Sequence, residues 1–185
     1  MSLPLEKQQR YTYEEYRAWD DDQLWELIDG VPYASPAPVR KHQDISVNLV
    51  GQFFNFLKGK PCKVYHPPFE VRLNIDTYGD TVVHPDLVIV CDESKLDDIG
   101  CKGAPDMVAE ILSPSTARHD KLVKFNQYLK AGVREYWIVD PDKRTVAVHI
   151  LENGKYTTTT YGEEDTVPVH VLEGCGIVLS DVFAL

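Results

Sequence analysis

Asp106-Met107-Val108-Ala109-Glu110-Ile111-Leu112 is the stretch on which the reading of this chain turns. Its apolar residues form a strand-length run, bounded by Gly103-Ala104-Pro105 before it and Ser113-Pro114-Ser115-Thr116 after it. Glu110 stands inside that run. A carboxylate removed from water without a partner costs several kcal/mol, about the scale of a whole domain's margin of stability. A metal ion, a cationic side chain or exposure on a polar sheet face must therefore compensate it. Asp86 poses the same problem, because it follows Pro85 and opens Leu87-Val88-Ile89-Val90. Acidic residues at the ends of adjacent strands suit a hard cation, since Mg²⁺ takes one or two protein carboxylates and fills its other positions with water and phosphate oxygens.

The segment after Glu110 can supply a cationic side chain. Ser113 to Thr116 can cap a helix running to about Ala131, with Gly132 at the position after its end. Asp120, Lys124 and Tyr128 share one face of that helix at i, i+4 and i+8, with Lys121 at its edge. Leu122, Phe125 and Leu129 form an opposite apolar stripe, expected to pack on the sheet. The plain alternative is an exposed Asp120–Lys124 pair worth a few tenths of a kcal/mol.

Further from this stretch, Thr12-Tyr13-Glu14-Glu15 fits a capping box opening a short helix to about Trp19. Leu24 to Ile28, Asp29-Gly30 and Val31 to Tyr33 read as a hairpin, with Pro32 marking an edge strand. Ile45, Leu49, Phe53 and Phe56 recur at helical spacing between Lys41 and Lys58. Strands are expected at 63–65, 69–73, 82–90, 135–139 and 167–172. Asn153-Gly154 joins two more, 145–151 and 155–161. This order gives an α/β or α+β domain with a mixed sheet and helices on its faces. Residues 1–10 read as a tail and 11–185 as one domain.

Composition narrows the function. With 43% apolar and 26% charged residues the chain can bury a core. Its net charge of −10 is the wrong sign for non-specific coating of nucleic acid or an anionic membrane. Any phosphodiester must therefore be met at a local site. Two segments run against the global charge: Arg118, Lys121, Lys124, Lys130 and Arg134 face Asp120 alone, and Arg40, Lys41, Lys58, Lys60 and Lys63 face Asp44 alone. Each taken singly reads as a solvated helix face. The sequence offers no membrane-spanning run and no signal-peptide layout at Met1 to Lys7, and Cys62, Cys91, Cys101 and Cys175 read as reduced thiols. A cytoplasmic protein is expected.

A resemblance carries the reading further. Leu24-Trp25-Glu26-Leu27-Ile28-Asp29-Gly30, His42-Gln43, His84-Pro85-Asp86-Leu87-Val88-Ile89-Val90 and Gly103-Ala104-Pro105-Asp106 follow one another in register. So do Glu110-Ile111-Leu112-Ser113-Pro114-Ser115-Thr116, Asp120 with Lys124 and Tyr128, and Gly132-Val133-Arg134-Glu135-Tyr136-Trp137-Ile138-Val139-Asp140-Pro141. Together they resemble the Uma-two family of restriction-endonuclease-like proteins, from about residue 11 to the C-terminus. The resemblance implies the PD-(D/E)XK nuclease fold, a central mixed β-sheet flanked by helices. It implies metal binding by Asp86 and Glu110, with Glu26 as an additional acidic residue. The literal motif needs lysine two residues past Glu110, where this chain has Leu112, so the lysine is expected from the next helix: Lys124, with Lys121 as fallback. His84 stands where the family usually has Gln.

The expected function is a Mg²⁺-dependent endonuclease, with Mn²⁺ as a substitute cation, hydrolysing DNA through Asp86, Glu110, Lys124 and Glu26. His42, Asp120, Lys121 and Tyr128 would support the site, His42 as a proton shuttle, a phosphate contact or a helix-cap residue. The missing lysine at 112 and the acidic charge keep open a catalytically inactive nuclease-fold module acting in partner binding or dimerisation. A hydrolase of another phosphoester is a third class. Restriction-like nucleases often pair to cut two strands, and the hairpin around Tyr156 to Tyr161 would offer a homodimer surface. Glu70, alternating with apolar neighbours, reads as a polar-face residue of a half-buried strand.

Overall fold

Asp29 and Gly30 both adopt positive φ, 49° and 79°, and so turn a tight hairpin between β1 (Trp25–Ile28) and β2 (Val31–Ala34). The computed structural model describes residues 9–20, 22–35, 37–74, 80–113 and 119–184, the side chains of 119–121 excepted. Ahead of the hairpin lies α1 (Tyr13–Arg17), closed by the Thr12–Glu15 capping box. After it come α2 (Arg40–Leu57), β3 (Lys63–Tyr65), β4 (Glu70–Asn74), β5 (Thr81–Val83), β6 (Leu87–Val90), β7 (Gly100–Lys102) and β8 (Met107–Ile111). A π-helical segment (His119–Lys124) leads directly into α3 (Phe125–Ala131), which Gly132 ends at φ 86°. Then follow β9 (Glu135–Asp140), β10 (Thr145–Glu152), β11 (Lys155–Gly162), β12 (Thr166–Pro168), β13 (Gly176–Val178) and α4 (Leu179–Val182).

The expected mixed α/β architecture is present, but as two sheets rather than one. The first has the order β2-β1-β5-β4-β7, the second β11-β10-β9-β8-β6-β3, and β12 pairs with β13 apart from both. Each large sheet contains one parallel pair, β4 with β7 and β8 with β9. Pro32 lies on β2, an edge strand, as its missing N–H requires. Gly100 meets β4 so closely that a Cβ there would collide with the Glu70 carbonyl oxygen.

The central strands of the second sheet, β6, β8 and β9, are buried on both faces, and alternation along them assigns each residue to a side. Leu87, Ile89, Met107, Ala109, Ile111, Trp137 and Val139 pack with Ile45, Leu49 and Phe53 of α2. Val88, Val90, Val108, Leu112, Tyr136 and Ile138 face the other way. They pack with Ile28, Val71 and Val83 of the first sheet and with Tyr128 and Val133 beyond it. By the same period-two rule Glu110 falls on the side that faces the first sheet, while Asp86, just before β6, is met by His42 of α2.

Several expectations need correction. Val82 to Val90 is not one strand. Pro85 offers no ladder N–H and restricts His84, so β5 ends in one sheet and β6 begins in the other. The expected apolar stripe holds only in part: Phe125 packs against the core beside Tyr136, but Leu122 is 55% exposed, whereas Lys124 and Tyr128 are buried. The exposed Asp120–Lys124 pair is thereby excluded for Lys124. The expected cap at Ser115 and Thr116 lies outside the described residues. Glu70 is buried rather than on a polar face, accepting from Tyr13 Oη at 2.6 Å beside Arg72 Nε at 3.4 Å. The expected strand 167–172 stops at Pro168, and the chain then folds through β13 and α4 under α2, where Gln52 exchanges hydrogen bonds with Val178. Cys62 and Cys91 are not free thiols but a disulfide, one step beyond the Lys63↔Val90 pair of β3 and β6. Cys101 and Cys175 are free and buried, and burial pushes both thiols up to about 11.

His149 on β10 sits among Phe125, Tyr136 and Tyr156, with Nδ1 on Thr158 Oγ1 at 2.7 Å. Burial pushes its pKa from 6.5 down to about 4. The unfolded chain therefore binds the proton first, so this residue's stabilising contribution is present above about pH 6.5 and is lost as pH falls toward 4. His149→Gln should flatten this part of the pH profile. Urea unfolding of both proteins at pH 7.5, 5.5 and 4.5 measures it, and an unchanged slope would refute the assignment.

Candidate active site

The joint between the sheets forms a cleft of about 670 Å³, into which Glu26, His42, His84, Asp86, Glu110 and Lys124 all project. β1 supplies Glu26 and β8 supplies Glu110, each on the face turned toward the other sheet. The chain crossing from β5 to β6 supplies His84 and Asp86. Leu87, the first residue of β6, pairs with Ala109, and Asp86 just before it accepts from the N–H of Ile111, the residue after Glu110.

Lys124 ties the sheets together. Its Nζ donates to Glu26 Oε1 at 2.9 Å and to Glu110 Oε1 at 3.0 Å. Glu110 Oε1 also accepts from Tyr128 Oη at 2.6 Å, and Glu26 Oε1 accepts the His84 backbone N–H at 2.9 Å. Glu26, Glu110 and Lys124 are 5%, 3% and 5% exposed. Burial alone would raise the Glu26 pKa. The Lys124 ammonium and the His84 N–H outweigh it and hold the carboxyl below its ordinary range. Burial, reinforced by the Glu110 charge, holds the Tyr128 phenol well above its usual value, so it remains a donor.

Asp86 is more accessible. Its Oδ2 accepts the Ile111 backbone N–H at 2.8 Å and contacts His42 Nε2 at 3.1 Å. His42 is the third residue of α2, so the helix places its imidazole over the Asp86 carboxylate rather than capping its own end, which begins at Val39. His84 Nε2 lies 3.1 Å from Tyr16 Oη, which donates to the Trp25 carbonyl at 3.1 Å. Burial first, and then Lys124, push the His84 pKa down, so the ring is held neutral at pH 7. Burial pushes the Tyr16 phenol up to about 12.

Of the residues singled out from the sequence, Glu26, His42, Asp86, Glu110 and Lys124 meet in this cleft, and Tyr128 stands behind Glu110. The side chains of Asp120 and Lys121 lie outside the described residues. Leu112 packs in the apolar layer between the sheets, and Lys124 brings its ammonium to Glu110 from the following helix. Sequence reasoning gave no role to His84 or Tyr16. They are 68 residues apart, and no local pattern links them. Among the described residues no group of three or more His, Cys, Asp or Glu side chains is arranged to hold a metal. Among them too, no helix is long and apolar enough to cross a membrane.

Comparison with known proteins agrees with this architecture. An uncharacterized protein of Synechocystis sp. is 28% identical over 156 residues, covering 82% of this chain and 80% of that protein. The crystal structure of "a putative nuclease belonging to DUF820" from Anabaena variabilis matches with a TM-score of 0.76 at 22% identity, over 94% of this chain and 97% of the other. At that identity the likeness is one of fold. The Uma2 family model, described as "Putative restriction endonuclease", matches residues 13–180, from α1 into α4, and the chain belongs to the Uma2 family.

Proposed function

We propose that the protein is a Mg²⁺-dependent endonuclease that hydrolyses phosphodiester bonds in DNA at this cleft. One observation carries the reading: Asp86, just before β6, and Glu110 of the neighbouring β8 line a single cleft, with the Lys124 ammonium on Glu110. The family description supports the nuclease class.

The donor set fits a hard cation. Asp86 and Glu110 offer only oxygen, and Mg²⁺ requires no more than one or two carboxylates from protein. Glu26 and Glu110 already seat one cationic group, the Lys124 ammonium, in a buried position. When bound between Asp86 and Glu110, the cation would polarise a phosphoryl oxygen and lower the pKa of a water. The remaining roles fall to the chain itself. Ile111 N–H and His42 hold the Asp86 carboxylate in place, and Tyr128 does so for Glu110. Lys124 would offset the charge that develops on the phosphoryl oxygens, with Glu26 orienting it from the other side. Mn²⁺ would substitute for Mg²⁺.

The test is incubation of purified protein with supercoiled plasmid, single-stranded DNA and RNA, in Mg²⁺, Mn²⁺ or EDTA. Cation-dependent cleavage of DNA is expected. No cleavage of any of the three with either cation would defeat the proposal. It would favour the second reading, an inactive nuclease-fold module acting in partner binding or dimerisation, which the Lys124–Glu110 pair independently motivates.

A further inference from the structure

We infer that Lys124 and a divalent cation compete for Glu110, so that the site alternates between a lysine-closed and a cation-filled state. The inference rests on the nuclease reading above and adds to it an order of events. In the structure Glu110 Oε1 takes two donors, Lys124 Nζ at 3.0 Å and Tyr128 Oη at 2.6 Å. Two donors occupy the lone pairs of one carboxylate oxygen, so a cation reaching it must displace one of them. Tyr128 is fully buried on α3 and aimed by its backbone. Lys124 has a four-carbon stem and a second seat already made, Glu26 Oε1 at 2.9 Å. A cation seated on the other Glu110 oxygen would still repel an ammonium a few ångströms away in a low-dielectric layer. The lysine is therefore the group that yields.

Its position permits this. Lys124 is the last residue of the π-helical segment, where the backbone leaves the α-helical register just before α3. Leaving Glu110, the ammonium stays beside Glu26 and within the cleft that both line. Cation binding would thus convert Lys124 from a structural counter-ion into a group free to meet phosphate. In the absence of cation, the same residue would keep the sheets joined and offset part of the pocket's acidic charge.

Calorimetric titration of Mn²⁺ into the full chain tests this, with Lys124→Met, Lys124→Arg and Asp86→Asn as the variants. Competition predicts that K124M binds Mn²⁺ at least about tenfold more tightly than wild type, the scale of a typical coupling between sites. K124R, which keeps a cation in the seat, should bind as wild type does, and D86N should lose binding. If D86N loses binding while K124M is unchanged or weaker, lysine and cation share the site, and the competition is refuted with the metal-site reading intact. If neither wild type nor K124M binds Mn²⁺, the metal-site reading itself fails. Should K124M show no cooperative melting, the wild-type protein carries the test through NMR of ¹³Cε-lysine during a Mg²⁺ titration, with K124R identifying the Lys124 signal. Movement of that signal in step with Mg²⁺ binding supports competition. A signal unmoved at saturation overturns it.

Discussion

Glu110→Gln is expected to abolish cation-dependent cleavage, by about 10³-fold or more, while the protein stays folded. The loss follows from the donor chemistry. A carboxamide presents a neutral oxygen where the cation needs a charged one, and the contact removed is made to the reacting centre itself, so the turnover number should fall rather than substrate affinity alone. The fold should survive because the substitution preserves shape and leaves an amide oxygen for Tyr128 to donate to, while Lys124 keeps Glu26. Asp86→Asn should behave alike, since its oxygen can still accept the Ile111 N–H. Single-turnover cleavage with protein in excess, beside thermal melts, separates the two effects. A variant that melts like wild type and still cleaves within about tenfold of it would remove Glu110 from the chemistry.

Why this pair was legible, and its surroundings less so, follows from the range over which each feature is encoded. A carboxylate inside Val108 to Leu112 conflicts with its own neighbours, so the local sequence announces that something must compensate it. The Asp-Gly and Asn-Gly turns and the α2 stripe are likewise local: Asp29 and Gly30, and Asn153 and Gly154, take the positive φ expected of them. The division into two sheets was not legible, because Thr81–Val83 and Leu87–Val90 both read as strand and only partner choice separates them. Helical periodicity failed at Leu122 for a related reason. Lys124 is drawn inward by two carboxylates, one of them on β1, far away in sequence, so the buried face takes in the ion pair together with Phe125 and leaves Leu122 outside. The Cys62–Cys91 disulfide depends on the register of β3 with β6, which no cysteine spacing reveals. Long-range placement also hid the His84–Tyr16 contact.

Lys124→Met should be the most destabilising single change in the site, costing about 3–5 kcal/mol, the range observed when one partner of a buried ion pair is removed. Methionine matches the stem, so little of the loss would come from packing. The cost is that Glu26 and Glu110 lose the ammonium they share across the inter-sheet layer. For a chain of this size the melting temperature should fall by about 10 °C. The dependence on pH distinguishes an electrostatic loss from a packing one. In the wild type Lys124 and the His84 N–H hold Glu26 below its ordinary value of 4.5, so its contribution is present above that pH and is lost as pH falls through the lowered value. Without Lys124, burial is opposed less and moves the carboxyl upward, so the variant takes up its proton earlier and is relieved by acid where the wild type is weakened. The stability gap should therefore narrow between pH 7 and pH 4.5. Adding Glu26→Gln to K124M should recover part of the loss, giving a double-variant cost well below the sum of the two singles. Urea unfolding of the four proteins at both pH values measures each quantity. A gap independent of pH, with additive costs, would mean that Lys124 contributes through its hydrocarbon stem and not through its charge.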